Sequence, residues 1–317
     1  MRFLVVGAGS WGTAFTRVLL ERGHDVVLAC RSRAQAEAIA ATGWNPHYLQ
    51  GVDLSGADAV PLADSPGDVD VVVAAVPSKA FASVVDGLPG DAPVLSLAKG
   101  LDPETGERLS TRVRGRAVAV LSGPNMAEEI AEGLPTAAVI ASEDGALAGK
   151  LQHALNSSLF RAYVNADLVG VELCAAAKNV IALAAGGVDG LRLGDNAKAS
   201  LIARGLAEMA RLGEAAGARA ETFAGLAGIG DLVVTCWSRH GRNRQAGELI
   251  AQGLTPERAV AEIGQTVEGL TTAPILRDLS HRLGVELPIT EGVCAVLSGQ
   301  SITDLAAGLM GREPTEE

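Results

Sequence analysis

Short apolar runs alternate with helical or turn-rich segments along the first half of the chain. The runs leave no room for polar alternation, which predicts strands that are buried on both faces. The predicted strands are Met1–Val6, Val26–Cys30, Asp70–Ala75, Pro93–Leu97, Ala117–Leu121 and Thr136–Ile140. The segments between them include Lys79–Asp86, Glu104–Arg112 and Asn125–Ala131. Repeated units of this kind predict a parallel, doubly wound sheet through about Asn165, with ligands beyond the carboxyl ends of the strands.

The second half of the chain has the pattern of helices. From Asp167 onward the strand signal fades, and alanine- and leucine-rich segments follow residues that favour helix starts. The predicted caps and helices are Asp195 before Asn196–Glu214, Thr255-Pro256 before Glu257–Ile263, and Ser301 before Ile302–Leu309. We therefore expect two domains, an α/β domain at residues 1–166 and an all-α domain at 167–317, with a ligand site in the cleft between them.

One later stretch, Val169 to Val188, is apolar enough to raise the question of a membrane span. It contains the polar residues Glu172, Lys178 and Asn179 and is interrupted by Gly186-Gly187. These features disfavour a membrane span and predict a buried core helix. The N-terminal apolar run is too short for a signal peptide and is followed at once by glycine. We expect a soluble, cytoplasmic protein without stable membrane insertion.

The first predicted strand leads directly into the glycine-rich turn Gly7-Ala8-Gly9-Ser10-Trp11-Gly12. In a dinucleotide-binding turn, Gly7 would permit the tight bend, Gly9 would let backbone approach a pyrophosphate, and Gly12 would let the helix pack on the strand. The helix N-terminus supplies unpaired N–H groups to the anion. The alternative is a glycine-rich turn without a ligand, and the strand-before, helix-after context favours the dinucleotide.

The second strand ends at Arg31-Ser32-Arg33, where an NAD-selective site usually places an acidic residue for the adenosine ribose. Arg31 and Arg33 favour a 2′-phosphate, as in NADP(H). The alternative is that both arginines are solvated residues at the start of the next helix.

The formal net charge of −11 and the scarcity of aromatic residues exclude a typical nucleic-acid-binding protein, which needs a basic face with stacking rings. An acidic protein can still bind a phosphorylated metabolite through a few local cations. The four cysteines and five histidines are scattered, which favours reduced thiols and gives no metal-binding spacing. We expect no metal.

Lys178 is the most unusual candidate for chemistry. Its neighbours at helical spacing are all apolar: Val171, Cys174, Ile181 and Ala185. Burying an ammonium group is costly unless it has a partner or a function, so Lys178 is either an ion-paired structural lysine or a proton donor with a tuned pKa. Downstream, Asp231 lies in a glycine turn, and Gly241-Arg242-Asn243-Arg244 precedes a helix. Either of these could also be an ordinary cap or a solvated helix start.

Several motifs combine into a specific resemblance. They are Gly7-Ala8-Gly9-Ser10-Trp11-Gly12-Thr13-Ala14, Ala98-Lys99-Gly100-Leu101, Leu121-Ser122-Gly123-Pro124, Glu132-Gly133-Leu134-Pro135-Thr136, Lys178-Asn179-Val180-Ile181-Ala182, Arg204-Gly205-Leu206-Ala207-Glu208-Met209, Ala227-Gly228-Ile229-Gly230-Asp231-Leu232 and Arg242-Asn243. In order and spacing they resemble the bacterial NAD(P)-dependent sn-glycerol-3-phosphate dehydrogenase family over nearly the whole chain. The resemblance implies a Rossmann-like α/β domain followed by a helical domain like that of 6-phosphogluconate dehydrogenase. It also implies reversible reduction of dihydroxyacetone phosphate to sn-glycerol 3-phosphate, at the entry to glycerophospholipid synthesis.

The resemblance assigns roles to residues of this sequence. Lys178 matches the proton donor and acceptor, and Lys99 and Asp231 match its active-site partners. The expected substrate-binding residues are Lys99, Gly123, Asn125, Lys178, Asn179, Asp231, Thr235, Gly241, Arg242 and Asn243. The expected cofactor-binding residues are Gly7, Gly9, Ser10, Trp11, Gly12, Arg31, Arg33, Tyr48, Lys99, Ala127, Arg242 and Glu268. The cofactor is NADP(H), NAD(H) or both, and the oligomeric state stays open, with a homodimer as one alternative.

Two residues depart from the family pattern. Asn125 stands where relatives usually carry serine or threonine, and Gly241 stands where they often carry serine, so each removes a hydroxyl from the expected substrate site. An asparagine amide and a glycine N–H can still donate, so we expect altered affinity. Two other functions remain at this point: a related 2-hydroxyacid dehydrogenase, in which Arg242 would hold a carboxylate, and a dinucleotide sensor without turnover.

Overall fold

A computed structural model describes residues 1–303. An α/β domain comes first, with β1 Arg2–Val6, α1 Ser10–Glu21, β2 Asp25–Cys30, α2 Arg33–Thr42, β3 Ala57–Pro61, β4 Val71–Ala74, α3 Ser78–Asp86, β5 Val94–Ser96, β6 Val118–Ser122, α4 Ala127–Ala131, β7 Thr136–Ala141, α5 Gly145–Leu155 and β8 Phe160–Asn165. Helices follow: α6 Leu168–Gly190, α7 Gly194–Ala215, α8 Ala220–Phe223, α9 Asp231–Trp237, α10 Arg242–Ala251, α11 Pro256–Ile263, α12 Glu268–Leu283 and α13 Pro288–Leu297. The N-terminal α/β and C-terminal helical organisation is therefore confirmed. Residues 1–166 and 167–317 remain our proposed domain limits.

The strands form one sheet in the order β3-β2-β1-β4-β5-β6-β7-β8. The prediction of a wholly parallel sheet is wrong at one place, because β6 and β7 are antiparallel. The chain between them, residues 123–135, contains only the short helix α4. An antiparallel β7 starts at the edge of the sheet where β6 ends, so this connection stays at that edge and does not cross the sheet.

Two strands at the edges of the sheet, β3 and β8, were not predicted. Along β8, Phe160 and Ala162 are buried whereas Arg161 and Tyr163 are exposed. An edge strand with one solvated face lacks the continuous apolar run that identified the central strands. In β3 the strand is short and ends in a proline, which is compatible with an edge position.

Helix α6 runs without a break through Gly186-Gly187, contrary to the interruption expected from the sequence. The glycines instead allow close approach of α10. A Cβ atom at Gly186 would overlap the backbone carbonyl of Arg244, and one at Gly247 would overlap that of Leu183. Helix α6 is long and apolar enough to span a membrane by length and composition alone, but 89% of its most apolar window is buried within the protein. The prediction of a buried core helix is confirmed.

The predicted helix starts were partly correct. The Thr255 side chain accepts a hydrogen bond from the N–H of Arg258 and caps α11 as expected. Asp195 does not cap α7: the chain turns through positive φ at Arg192 and Gly194, so the helix begins at Gly194 and Asp195 lies in its first turn. There its charge still complements the helix dipole. The predicted helix Ile302–Leu309 lies outside the described residues from position 304 onward.

A buried carboxylate ties α6 to the sheet domain. Both oxygens of Glu172 accept hydrogen bonds, from Arg108 Nη1 at 2.9 Å and from the N–H and hydroxyl of Ser110 at 2.9 and 2.5 Å. Burial raises the pKa of Glu172, while Ser110 and Arg108 oppose that rise. Because α6 also carries Lys178, this contact fixes the lysine helix against the sheet.

Candidate active site

The site lies along the edge of the sheet at which the parallel strands end, and not beside the edge strands β3 and β8. Strands β1, β2, β4, β5 and β6 are parallel, so their carboxyl ends share this edge. Glycine, proline or polar residues follow each of these strands: the Gly7 turn, Arg31, Val76-Pro77-Ser78, Ala98-Lys99-Gly100 and Gly123-Pro124-Asn125. The geometry therefore brings the predicted loops to a common edge, beside α6 and α9.

The glycine turn has the shape that a dinucleotide requires. Gly7 has a φ of 107°, and a Cβ atom at Gly12 would overlap the Gly7 carbonyl, so both positions need glycine. A Cβ atom at Gly9 would meet no described atom within 4 Å, which leaves open space beside the backbone. No described side chain caps the N-terminus of α1, which begins at Ser10. Free N–H groups facing open space fit a pyrophosphate.

The loop beyond α2 is held against this turn by Asn45, which the sequence analysis did not identify. Asn45 is fully buried, and its Nδ2 atom donates to Ala8 O at 2.9 Å and to Thr13 Oγ1 at 2.8 Å. Tyr48, an expected cofactor residue, lies three residues further on and is half-buried. A single asparagine outside any glycine motif offers no pattern by which sequence alone could find it.

The two arginines that follow β2 differ in their surroundings. Arg33 is paired with Asp64, with Nη2 to Oδ2 at 3.1 Å, and it is largely exposed. Arg31 is also exposed, but it has no ion-pair partner within residues 1–303. Arg31 is therefore the cation that is free to meet a 2′-phosphate, while Arg33 is already neutralised in part.

Lys178 lies at the centre of a buried cluster of charged groups. Its Nζ atom is 2.5 Å from Asp231 Oδ1 and 2.8 Å from Thr235 Oγ1. Lys99 Nζ, from the loop after β5, is 2.9 Å from the other oxygen of Asp231. Ser122, at the end of β6, also donates to this oxygen, at 3.2 Å. One carboxylate thus holds two lysines from different domains, and Ser122 is a further member that sequence reasoning missed.

Burial controls the protonation of this cluster. It lowers the pKa of Lys178 to about 7, an effect that Asp231 opposes and that the positive charge of Lys99 reinforces. Burial alone would raise the pKa of Asp231, but the two lysines hold it below its usual range. Asp231 is therefore ionised near neutral pH, while Lys178 can gain or lose a proton there.

A short irregular helix places Asp231. Residues Leu226–Gly230 form one turn of π-helix, and α9 begins at Asp231. A Cβ atom at Gly228 would overlap the backbone of Phe223, so only glycine fits in this turn. Because Thr235 follows Asp231 by four residues, one turn of α9 aligns both side chains toward Lys178.

Asn125 contributes an unsatisfied donor to the site. Its Oδ1 atom accepts from Lys99 Nζ at 2.9 Å, whereas its Nδ2 atom is buried and has no hydrogen-bond partner among the described residues. Lys99 Nζ also lies 3.4 Å from Gly123 O. A buried amide N–H without a partner is costly unless a ligand accepts from it. Asn125 Nδ2 is therefore placed to donate to a bound ligand.

The start of α10 has the features of an anion site. Arg242 is exposed at the first position of the helix, and Gly241 before it supplies no side-chain cap. Asn243 is buried behind it: its Nδ2 atom donates to Asn179 Oδ1 at 2.9 Å, and its Oδ1 atom accepts from Gly269 N at 2.9 Å. Asn243 thus fixes α10 against α6, and Arg242 with the open N–H groups faces outward.

Glu268, which was expected to contact the cofactor, links the helical domain to the α/β domain. Its Oε2 atom accepts from the hydroxyl of Ser78 at 2.5 Å, and its Oε1 atom accepts from the Ser78 N–H at 3.2 Å. This carboxylate lies at the N-terminus of α3, where it complements the helix dipole. The neighbouring Gly100 has a φ of 146°.

Ala127 is buried at the first position of α4. Within residues 1–303 no three His, Cys, Asp or Glu side chains are grouped as metal ligands.

Comparison with known proteins agrees with this geometry. Residues 3–148 match the family model described as NAD-dependent glycerol-3-phosphate dehydrogenase N-terminus, and residues 167–306 match that of the C-terminus. The chain is 45% identical to glycerol-3-phosphate dehydrogenase (NAD(P)+) of Moorella thermoacetica over 324 residues, with 99% of this chain and 96% of the relative covered. It is also 45% identical to the Streptomyces coelicolor protein of the same name, with coverages of 99% and 97%.

A solved structure leads to the same family. The crystal structure of glycerol-3-phosphate dehydrogenase from Coxiella burnetii superposes with a TM-score of 0.93 at 36% identity, covering 98% of this chain and 99% of that one. The resemblance inferred from the motifs is confirmed over both domains. The chain belongs to the NAD(P)-dependent glycerol-3-phosphate dehydrogenase family.

Proposed function

We propose that this protein catalyses the reversible reduction of dihydroxyacetone phosphate to sn-glycerol 3-phosphate. The observation that carries the proposal is the cluster of Lys178, Asp231 and Lys99, buried at the sheet edge that also holds the dinucleotide turn. A buried lysine with a pKa near 7 suits proton transfer to and from a substrate oxygen. A dinucleotide sensor without turnover would have no use for such a group.

In the proposed reduction, Lys178 donates a hydrogen bond to the carbonyl oxygen and then gives it a proton. A nicotinamide cofactor held at the Gly7–Gly12 turn would supply the hydride for the carbonyl carbon. Asp231 and Thr235 hold the Lys178 ammonium group in place, and Lys99 adds a second positive charge near the developing oxyanion. Lys178 leaves the step neutral and regains a proton from solvent. In the oxidation it accepts the hydroxyl proton instead.

The phosphate is assigned to the start of α10. In the proposed complex, Arg242 binds the dianion as a fork, the open N–H groups of the helix add partial positive charge, and Asn125 Nδ2 donates to an oxygen of the substrate. Asn179 and Asn243 act behind them by joining α6 to α10. The open turn at Gly9 and the free Arg31 support a dinucleotide with or without a 2′-phosphate.

The wider setting belongs to the same proposal. We assign the product to glycerophospholipid synthesis, the protein to the cytoplasm, and the partner to a small phosphorylated substrate, with no role for nucleic acid or a membrane. A homodimer is the assembly to test, by light scattering of the purified protein.

The test is steady-state kinetics of NADPH and NADH oxidation with three ketones: dihydroxyacetone phosphate, unphosphorylated dihydroxyacetone, and a 2-oxo acid. We expect efficient turnover of the phosphorylated ketone alone. Preference for the 2-oxo acid would overturn the proposal in favour of a 2-hydroxyacid dehydrogenase. The Arg242→Ala variant should lose about 2–5 kcal/mol of binding to the phosphorylated ketone and little with dihydroxyacetone. Equal losses would place the phosphate elsewhere.

A further inference from the structure

Four charged side chains, Asp189, Lys198, Arg244 and Glu248, form a network that joins α6, α7 and α10. Lys198 Nζ contacts both oxygens of Asp189, at 2.9 and 2.7 Å. Arg244 Nη1 lies 2.8 Å from Asp189 Oδ2 and 2.9 Å from Glu248 Oε2. The side chain of Lys198 is 6% exposed and that of Arg244 is 13% exposed. The network contains two cations and two carboxylates, so its charges balance.

The network connects the helices that carry Lys178 and Arg242. Asp189 lies on α6, the helix of Lys178, and Arg244 lies on α10, the helix of Arg242. Lys198 comes from α7 and packs its ammonium group 5.0 Å from the centre of the Trp237 ring, at the end of α9. Asp189 is the one residue that contacts both cations, which makes it the centre of the network.

Arg244 also holds the loop that leads into the phosphate site. Its Nε atom donates to the backbone carbonyl of Ser238 at 3.1 Å. Residues 238–241 join α9, which carries Asp231, to α10, which begins at Arg242. A shift of this loop would therefore move Arg242 relative to Lys178.

Packing alone does not explain the network. Helices α6 and α10 already meet backbone to backbone through Gly186 and Gly247. Buried ion pairs contribute little net stability compared with apolar residues of similar size, but they impose a defined geometry. In this network, Arg244 holds residues 238–241 in one path into the start of α10.

We propose that Asp189 is a positioning residue for substrate binding: through Arg244 and Lys198 it fixes the 238–241 loop and hence the direction of Arg242. This inference rests on the proposed function, because it requires that Arg242 binds the substrate phosphate. In this role, Asp189, Lys198 and Arg244 act without touching the substrate.

The experiment compares Asp189→Asn and Arg244→Lys with the wild type, using dihydroxyacetone phosphate and dihydroxyacetone. Each variant should raise KM for the phosphorylated ketone about tenfold, in the range found for residues that act through others. The kcat/KM for dihydroxyacetone should change little. Lysine keeps the charge beside Asp189 but cannot also reach Glu248 and the Ser238 carbonyl as the guanidinium fork does. If Asp189→Asn does not yield folded protein, Arg244→Lys decides the question.

The matched control is Glu208→Gln, which alters a buried carboxylate of the same domain. Glu208 accepts hydrogen bonds from the N–H groups of Ile289 and Thr290 at the start of α13, away from the 238–241 loop. The Glu208→Gln variant should have a lower melting temperature but an unchanged preference for the phosphorylated ketone. An equal loss of preference in this control would overturn the inference, since general destabilisation would then explain the effect.

The Arg242→Ala variant distinguishes a failure of the positioning role of Asp189 from a failure of the proposed function. If it lowers the preference for the phosphorylated ketone while Asp189→Asn and Arg244→Lys do not, the positioning role is wrong and the proposed function stands. If Arg242→Ala leaves the preference unchanged, the phosphate site itself is wrong, and the positioning role falls with it. Loss of preference in all three variants, with Glu208→Gln unaffected, supports the inference.

Discussion

Lys99 Nζ and Asp231 Oδ2 lie 2.9 Å apart, and this salt bridge joins the loop after β5 to the first turn of α9. Asp231 is 1% exposed and binds Lys178 through its other oxygen. The carboxylate therefore compensates one ammonium group from each domain. This charged cluster is complete only when the sheet and the helical domain are packed together.

Replacement of Lys178 by alanine should nearly abolish turnover. The side chain is expected to act as general acid and to stabilise the developing oxyanion, so kcat should fall by a factor on the order of 10² or more. NADPH binding, measured by fluorescence titration, should stay within a few-fold of the wild type. Lys150→Ala, an exposed lysine on α5, is the matched control. A folded Lys178→Ala protein with near wild-type kcat would remove Lys178 from the mechanism.

The two directions of the reaction should have opposite pH profiles. Burial lowers the pKa of Lys178 to about 7. Reduction needs protonated Lys178, so its kcat/KM should fall as pH rises through this value, whereas oxidation needs the neutral amine and should become faster. Asp231 raises the pKa of Lys178, so Asp231→Asn should move both inflections to lower pH. Profiles that change in the same direction would assign the inflection to another group.

Arg31 should set the cofactor preference. Arg31→Asp should lower the NADPH/NADH ratio of kcat/KM by an amount corresponding to about 1.5–3 kcal/mol, because a 2′-phosphate loses a charge-assisted hydrogen bond and meets a carboxylate. Arg33→Asp is the matched control and should have a smaller effect, because Arg33 is already paired with Asp64. The reverse order of the two effects would identify Arg33 as the phosphate ligand.

Asn125 should contribute one hydrogen bond to the substrate. Its Nδ2 atom is buried without a described partner, so Asn125→Ala should raise KM for dihydroxyacetone phosphate by up to about tenfold, which corresponds to one neutral hydrogen bond. Asn125→Ser returns a hydroxyl donor and should recover part of the loss. If the alanine variant binds the substrate as well as the wild type does, the amide faces no ligand.

Sequence patterns identified the parts of the fold in which burial or backbone conformation alone decides which residues fit. The buried central strands and the glycine turn are of this kind, because continuous apolar runs and positive φ values leave few alternatives. The direction of β7 and the existence of the edge strand β8 depend on which neighbours the chain meets in three dimensions. The predicted direction of β7 was therefore wrong, and β8 was not predicted.

The candidate site shows the same division. Lys178 was recognisable because a charged residue on an apolar helix face is rare. The roles of Ser122, Asn45 and Ser78 were not recognisable, because a serine or an asparagine, even within a motif, is ordinary until its hydrogen-bond partner is known. The Asp189 network was also invisible from the sequence, since its members are spread over three helices.

The close contact of α6 with α10 has a consequence for the choice of substrate. The backbones of α6 and α10 approach each other so closely at Gly186 and Gly247 that a Cβ atom at either position would overlap the facing carbonyl, so the two helices cannot slide past each other and the backbone positions of Lys178 and Arg242 keep a constant separation. In the proposed complex, this separation would correspond to the distance between the carbonyl and the phosphate of the substrate. We therefore expect ketone phosphates with one carbon more or fewer to be poorer substrates, because their carbonyl-to-phosphate distance would no longer match the separation of the two helices.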